Sequence, residues 1–416
     1  MLLKRNDRFE NKVASNKKKI LFITTLNLAS NPRLVKEIRL AKDLKITATV
    51  ICFRFNNWSH ELNDSLLKEF KDLKIIQIDA ERRSFFSWIF SVVSEKIFRT
   101  ISKWISLPLS WHATAITRRS QLLVKALKEV NDTDFVIGHN PGAIYPAYKA
   151  AQQFNCKSGF DVEDYHPGEG NDQHLQRITL SLMKTLLPKF NYVSFASNAI
   201  FNECKIQINN FNMQSTLVVN NSFSKDEFIE PKKVSNEKLQ IVWFSQNINL
   251  GRGLEKLIPI LDRYSDKLNL TLFGNCNDNF KKEFIDCKNG IHYGGILPQE
   301  LLHEKLSNFD VGLAVEDVET DKNRDICLTN KIWAYFQSGL YIIATDTTAQ
   351  KEFLLKNSLH GVCYQNIDKF ESILMDLTRD IVLLRKSKKI RFENAQKNNW
   401  ENESLKIVEV WKKNIH

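Results

Sequence analysis

Short runs of unbroken apolar residues recur along the chain, separated by longer stretches whose apolar positions return every three or four residues. The first run, Ile20-Leu21-Phe22-Ile23-Thr24-Thr25, is continuous rather than alternating, which predicts a strand buried on both faces, as in a parallel sheet. Asn31 then reads as a helix N-cap and Pro32 as the first helical residue, opening a helix to about Lys42. Further strands are predicted at 46–53, 75–78, 134–139 and 158–161, and a second series at 239–244, 268–274, 309–314 and 341–345. Within that second series a polar loop ends in Asn330-Lys331, an amphipathic helix comes next, and Gly339 stops it ahead of the last strand. Strand alternating with helix at this spacing predicts doubly wound parallel sheets.

The 416 residues exceed the size at which a single core stops growing, so two domains are expected. The first spans 1–223; a polar linker with Pro231-Lys232-Lys233 spans 224–238; the second domain spans 239–384; a charged amphipathic tail occupies 385–416. With 43% hydrophobic and 26% charged residues the composition is that of a globular chain and not a disordered one. A net charge of +11 favours an anionic partner, whether a phosphate-bearing substrate, a membrane surface or nucleic acid. Basic residues are spread widely and no nucleic-acid module is recognisable, so nucleic acid is not expected. The seven cysteines are scattered without a Cys-x-x-Cys pair, which argues against a disulfide framework or zinc site and for a reducing compartment. No signal-peptide core or membrane-spanning run is visible, so a cytoplasmic protein is expected.

Ligands of open parallel sheets bind beyond the carboxyl ends of the strands, which directs attention to five segments. They are Asn31-Pro32-Arg33-Leu34-Val35-Lys36-Glu37; Gly138-His139-Asn140-Pro141; Asp161-Val162-Glu163-Asp164-Tyr165-His166-Pro167-Gly168-Glu169; Ser245-Gln246 with Gly251-Arg252-Gly253; and Glu316 with Asn323-Arg324 and Asn330-Lys331. Free N–H groups at a helix start, joined by the Lys331 ammonium, favour a phosphate or diphosphate, although a helix-Gly-strand unit also occurs in α/β proteins without one. Arg33 allows two readings, a cation directed at a ligand or a surface arginine on its own helix. His139 is either a structural histidine or, at a strand end, a donor to sugar hydroxyls. Asp161, Glu163 and Asp164 form either a solvated acidic loop or a reactive carboxylate set.

In this order the five segments resemble those of the retaining glycosyltransferases of family 4, and most closely a subgroup whose donor segment reads Asn-Arg, several residues, then Asn-Lys. The resemblance implies the GT-B fold: two Rossmann-like domains facing across a cleft, with a C-terminal helix packing back on the first. It implies candidate catalytic residues His139, Asp161, Glu163, Asp164 and Glu316, and donor-binding residues Ser245, Gln246, Gly251, Arg252, Gly253, Asn323, Arg324, Asn330 and Lys331. Arg33, His166 and Glu169 would lie on the acceptor side. No cofactor or metal is implied, because Arg252, Lys331 and helix dipoles would neutralise the diphosphate of a UDP- or GDP-sugar. The partners implied are that donor and a glycan or lipid-linked acceptor in cell-surface polysaccharide synthesis. Two departures stand out. Family members carry two glutamates seven residues apart, and here the ribose-binding position is Ala334 and the sugar position Ile326, while Gln246 replaces a basic residue. A nucleotide-sugar 2-epimerase of the same fold and a catalytically silent nucleotide-binding subunit are the alternatives.

One stretch, about 84–119, has another character. Trp88, Phe90, Trp104 and Trp111 alternate with aliphatic and basic residues at roughly helical spacing up to Arg118-Arg119. It reads either as a helix lying in an anionic membrane interface, which would make the protein peripheral on the inner face of the cell membrane, or as a core helix with a basic outer face.

Overall fold

The computed structural model describes residues 17–56, 59–79, 85–208, 215–231, 236–317 and 321–415; the basic N-terminal stretch 1–16 and linker residues 232–235 lie outside them. Seven strands form the first sheet: β1 (Lys19–Thr24), β2 (Thr47–Arg54), β3 (Lys74–Asp79), β4 (Phe135–His139), β5 (Lys157–Val162), β6 (Tyr192–Phe195) and β7 (Thr216–Val218). Six form the second: β8 (Leu239–Ile248), β9 (Leu268–Cys276), β10 (Ile291–Gly295), β11 (Val311–Ala314), β12 (Tyr341–Thr345) and β13 (Gly361–Tyr364). The spatial orders are β3-β2-β1-β4-β5-β6-β7 and β10-β9-β8-β11-β12-β13. Each sheet therefore reverses direction between its first and fourth strands, the switch point at which doubly wound sheets open a crevice for ligands.

The apolar runs sit where both faces are covered. All five residues of β4 and the last five of β1 are buried, with Phe22 paired to Val50 of β2 and Ile137 of β4. In the second unit Trp243, Leu270 and Leu313 of three neighbouring strands pack with Leu257 and Leu261 of the helix Leu254–Arg263 and with Phe370. Asn31 caps the helix Pro32–Asp43 as its sequence predicts, accepting a bond from the Leu34 N–H at 3.1 Å.

Four strands lie outside the predicted set, and each is short or irregular. β6 and β7 have four and three residues, β10 has a register shift at its two glycines, and β13 opens on Gly361. β8 also outruns its predicted end by four residues, with a register shift against β9 between Phe244 and Asn247. Gly274 makes this possible: it sits at φ 136, and a Cβ there would fall 1.8 Å from the Ser245 carbonyl oxygen.

Contacts divide the chain into two units, Met1–Asp161 with Ser181–Val193 and Val410–His416, and Val162–Leu180 with Ser194–Glu409. The last residues of the helix Trp400–Asn414 thus belong to the first unit. There Trp411 is buried, donates from Nε1 to the Tyr192 hydroxyl at 3.2 Å, and lies 6.2 Å from the Phe22 ring.

Candidate functional site

In the second unit the crevice at the switch point is bordered by the loops that leave the ends of β8 and β11. After β8 the chain turns through Gly251-Arg252-Gly253, with both glycines at φ 79, a left-handed conformation that side-chain-bearing residues adopt at a cost. Gly253 caps the helix Leu254–Arg263 and approaches Val315 so closely that a Cβ would meet its Cγ1 at 2.9 Å. The turn therefore lays backbone, and not side chain, against the start of the β11 loop. Arg252 is half-buried between the two glycines and forms no ion pair among the described residues. Ser245 and Gln246 belong to the strand β8 itself, Ser245 half-buried and Gln246 exposed.

After β11, Glu316 takes its N–H to the Thr345 hydroxyl at 3.1 Å and its carboxylate to Lys331 Nζ at 3.0 Å. Lys331 is the second residue of the helix Asn330–Gln337. Its ammonium also lies 5.7 Å from the centre of the Trp243 ring. Both charges are largely withdrawn from water, at 11% and 6% side-chain exposure, so each depends on the other for compensation. The lysine is near a helix N-terminus, as its sequence predicts, but its charge is taken up by Glu316, leaving Arg252 as the more available cation.

The Asn-Arg and Asn-Lys pair has a structural partner in the acidic loop. Asn323 accepts from the Tyr165 N–H at 2.7 Å and donates to Asp164 at 3.2 Å; Cys327 points its thiol at the same carboxylate, 3.3 Å away. Burial and then the neighbouring Asp164 carboxylate push the Cys327 thiol well above its usual value, so it is a poor nucleophile. Asp321 caps the turn Lys322–Ile326 and accepts from the Gly170 N–H at 3.3 Å. Arg324 reaches the Gly251 carbonyl at 3.3 Å, tying this loop to the glycine turn. Asn330 accepts from Asn221, which also faces Glu163 at 3.4 Å. Asn221 is not among the residues the sequence singles out; it lies just past the three-residue β7, where periodicity gives no cue. His166 pairs with Glu169 at 3.0 Å. Burial alone would disfavour its charge, but Glu169, Asp164 and Glu163 outweigh that and raise its pKa above the usual 6.5.

Arg33, His139 and Asp161 are brought together elsewhere, in the first unit, with Glu37 as a fourth member. Arg33 Nε lies 2.8 Å from Asp161, and His139 stands between Glu37 at 3.4 Å and Asp161 at 3.7 Å. All four side chains are at most 1% exposed, so in this conformation they hold one another rather than presenting polar groups to a ligand. Arg33 and Glu37, four apart on one helix, share a face, so their nearness is visible in the sequence once the helix is, while their partners Asp161 and His139 are not. Asp161 is inside β5 and Glu163 and Asp164 lie beyond its end, which splits the expected carboxylate set into two environments. Among the described residues Glu37, His139 and Asp161 have the spacing of a metal-binding group, with ligand atoms within 4.8 Å of one another. The Arg33 guanidinium already supplies the cation there.

No protein-family model matches the chain, and no curated protein does either. Solved structures do match it over almost its whole length. HepE of Anabaena in complex with UDP superposes at a TM-score of 0.65 and 12% identity, covering 95% of this chain and 100% of that one. The fold is GT-B. A variant of S. aureus TarM, in complex with Fondaparinux, alpha-GlcNAc-glycerol and UDP, matches at 0.62 and 12% identity, covering 96% and 100%. A UDP-N-acetylglucosamine 2-epimerase is more distant, at 0.57 and 12% identity over 94% and 95% of the chains. At such identities the likeness fixes the GT-B architecture of the two sheets and leaves the reaction open.

Proposed function

We propose that this GT-B protein is a glycosyltransferase that moves a sugar from a nucleotide-sugar donor to a glycan or lipid-linked acceptor. The observation that carries this reading is the convergence, at the β8–β11 switch point, of the Gly251-Arg252-Gly253 turn with the Glu316–Lys331 pair and the start of the helix Asn330–Gln337. Backbone N–H groups and cations there suit a diphosphate, and Glu316 suits the hydroxyls of a donor sugar. UDP in HepE and TarM supports a UDP-sugar ahead of a GDP-sugar.

In the transfer, the bond from the anomeric carbon to the diphosphate oxygen breaks, and a bond to the acceptor oxygen forms on the same face. The acceptor proton leaves with the diphosphate. Arg252 stabilises the charge that develops on the leaving group, joined by Lys331 as its ammonium exchanges Glu316 for the diphosphate, which is how the protein would dispense with a metal. Asn323 and, through Asn221, Asn330 position the acidic loop bearing Glu163 and Asp164, Arg324 holds their segment to the glycine turn, and His166 and Glu169 lie toward the acceptor. Arg33, His139 and Asp161 act by fixing the end of β5 from which that loop starts. The acceptor belongs to cell-surface polysaccharide synthesis, reached from the inner face of the membrane.

Thermal shift against a panel of nucleotide sugars, followed by nucleotide release with lipid-linked acceptors, tests this reading. A melting rise with one nucleotide class and acceptor-dependent release support it. Interconversion of free UDP-sugar epimers without acceptor would establish the epimerase instead. Nucleotide binding with no turnover would establish a silent subunit, and the absence of any nucleotide response would remove all three.

A further inference from the structure

The helix Phe85–Ile101 is built inside out. On its inward side stand Ser91 and Ser94, 1% and 7% exposed, with Glu95 and Arg99. Arg99 bonds the carbonyls of Ala115 and Ile116 at 2.9 and 3.0 Å and Glu95 at 2.8 Å. Glu95 in turn accepts from the Arg118 N–H at 2.7 Å, and the Arg118 side chain reaches Ser91. On its outward side Phe90, Val93 and Ile97, at helical spacing, are 60%, 46% and 47% exposed. The stripe continues through Trp104 and Ile105, 76% and 58% exposed, in the turn before the helix Leu109–Ile116, and ends at Trp111, stacked on Phe98 at 4.7 Å. A helix bordered by water would place these faces the other way round. The polar face is already satisfied by the protein, so the medium that the apolar face matches lies outside.

We infer that this stripe, from Phe90 to Trp111, is a docking surface for an anionic lipid bilayer. Charge selects the occupant. Residues 85–128 carry seven lysines and arginines and a single carboxylate, Glu95, which is taken up by the inward network. Lys96, Lys103 and Lys125 are exposed beside the apolar tips, with Lys125 Nζ 5.6 Å from the centre of the Phe90 ring. Tryptophan and lysine together at the edge of an apolar stripe suit the headgroup zone, whereas the cores of protein interfaces are depleted in lysine. The surface lies on the bilayer and does not cross it: among the described residues no helix is long and apolar enough to span a membrane. The surface deepens the proposed function by naming the phase in which its acceptor resides, and it rests on that reading for its purpose alone.

The test uses the whole chain in flotation with vesicles of phosphatidylcholine, alone or with phosphatidylglycerol. The wild type should float with the anionic vesicles, and less so at high salt. Combined Phe90→Ser, Ile97→Ser and Trp104→Ser should lower the bound fraction about ten-fold or more, with melting temperature and nucleotide-sugar response unchanged. Lys96→Glu with Lys103→Glu should weaken binding to anionic vesicles while leaving the apolar tips intact, which keeps the test decisive if the triple variant fails to fold. Failure of the wild type to float, or flotation unaffected by either set, overturns the docking surface even if sugar transfer is found. A self-association abolished by the triple variant, with no vesicle binding, would assign the stripe to a second copy of the chain and also overturn it. Flotation with no nucleotide response would leave the surface standing and remove the transferase reading.

Discussion

Replacing Ala334 by glutamate supplies the ribose-binding carboxylate that the resemblance to family 4 would lead one to expect there, and the structure predicts that the protein rejects it. Ala334 is fully buried in the helix Asn330–Gln337, between Trp333 at 2% exposure and Tyr335 at 0%. The added side chain must overpack its surroundings, at about 1–3 kcal/mol. Its charge, buried without a partner, adds a further penalty of about 3–5 kcal/mol, reduced in part if it binds a proton. The helix dipole offsets little of this, because its effect falls off within the first turn and Ala334 lies beyond it. The balance is a loss of about 4–8 kcal/mol before any proton uptake, a fall in melting temperature of ~5–9 °C if all 416 residues unfold together. Scanning calorimetry of wild type and Ala334→Glu, paired with titration of the nucleotide that emerges from the thermal-shift panel, provides the assay. An unchanged melting temperature together with a ten-fold gain in nucleotide affinity would refute the reasoning. It would show that the helix face opens on a ribose pocket.

Other outcomes are expected from the charged clusters. Asp161→Asn leaves Arg33 buried beside a neutral group and should cost about 3–5 kcal/mol of stability in denaturant titration of the first unit. Arg252→Ala should raise the donor KM and lower kcat, with a loss of about 2–4 kcal/mol of transition-state stabilisation. Lys331→Ala should reduce activity by a similar amount and also lower the melting temperature, because the buried Glu316 carboxylate loses its cationic partner; equal melting for the two variants would contradict the buried pair. His166, whose pKa is raised, contributes stability that is complete below the usual 6.5 and is lost as pH climbs through the higher folded value. His166→Gln should therefore flatten the decline of melting temperature above pH 6.5, and an unaltered slope would exclude the His166–Glu169 contact as its source.

The features legible in the sequence are local ones. Asn31-Pro32 announces a helix because capping and a fixed proline φ act over three residues, and continuous apolarity announces β1, β4 and β8 because both faces of those strands are covered. Asn330-Lys331 announces the helix start, yet nothing local says that Lys331 is tied to Glu316, since that pairing needs β11 and the helix side by side. Likewise Arg33 and Asp161 meet only once the sheet that contains β5 is assembled beside the first helix. The aromatic segment shows its composition in the sequence, but composition alone cannot say which side faces out. That Ser91 and Ser94 face inward emerges only when Arg99 and Glu95 are seen bonding on the same side. Strands of three or four residues such as β7 and β13 carry too few positions for any period to register.

The place of Trp411 has a consequence for the order in which the molecule assembles. It fills the first unit against Phe22 and Tyr192, although it stands 219 positions after Tyr192. During synthesis the first sheet emerges early, but the unit stays without this plug until all the strands of the second sheet have been made. The second sheet, whose strands β8 to β13 all precede residue 400, can assemble while the first unit still waits. A nascent chain would therefore expose the gap beside Phe22 for the time needed to translate the whole second unit, inviting chaperones to hold it. Synthesis from the amino terminus thus does not deliver a finished amino-terminal unit, and the arrival of Trp411 sets the moment at which the first unit can be filled.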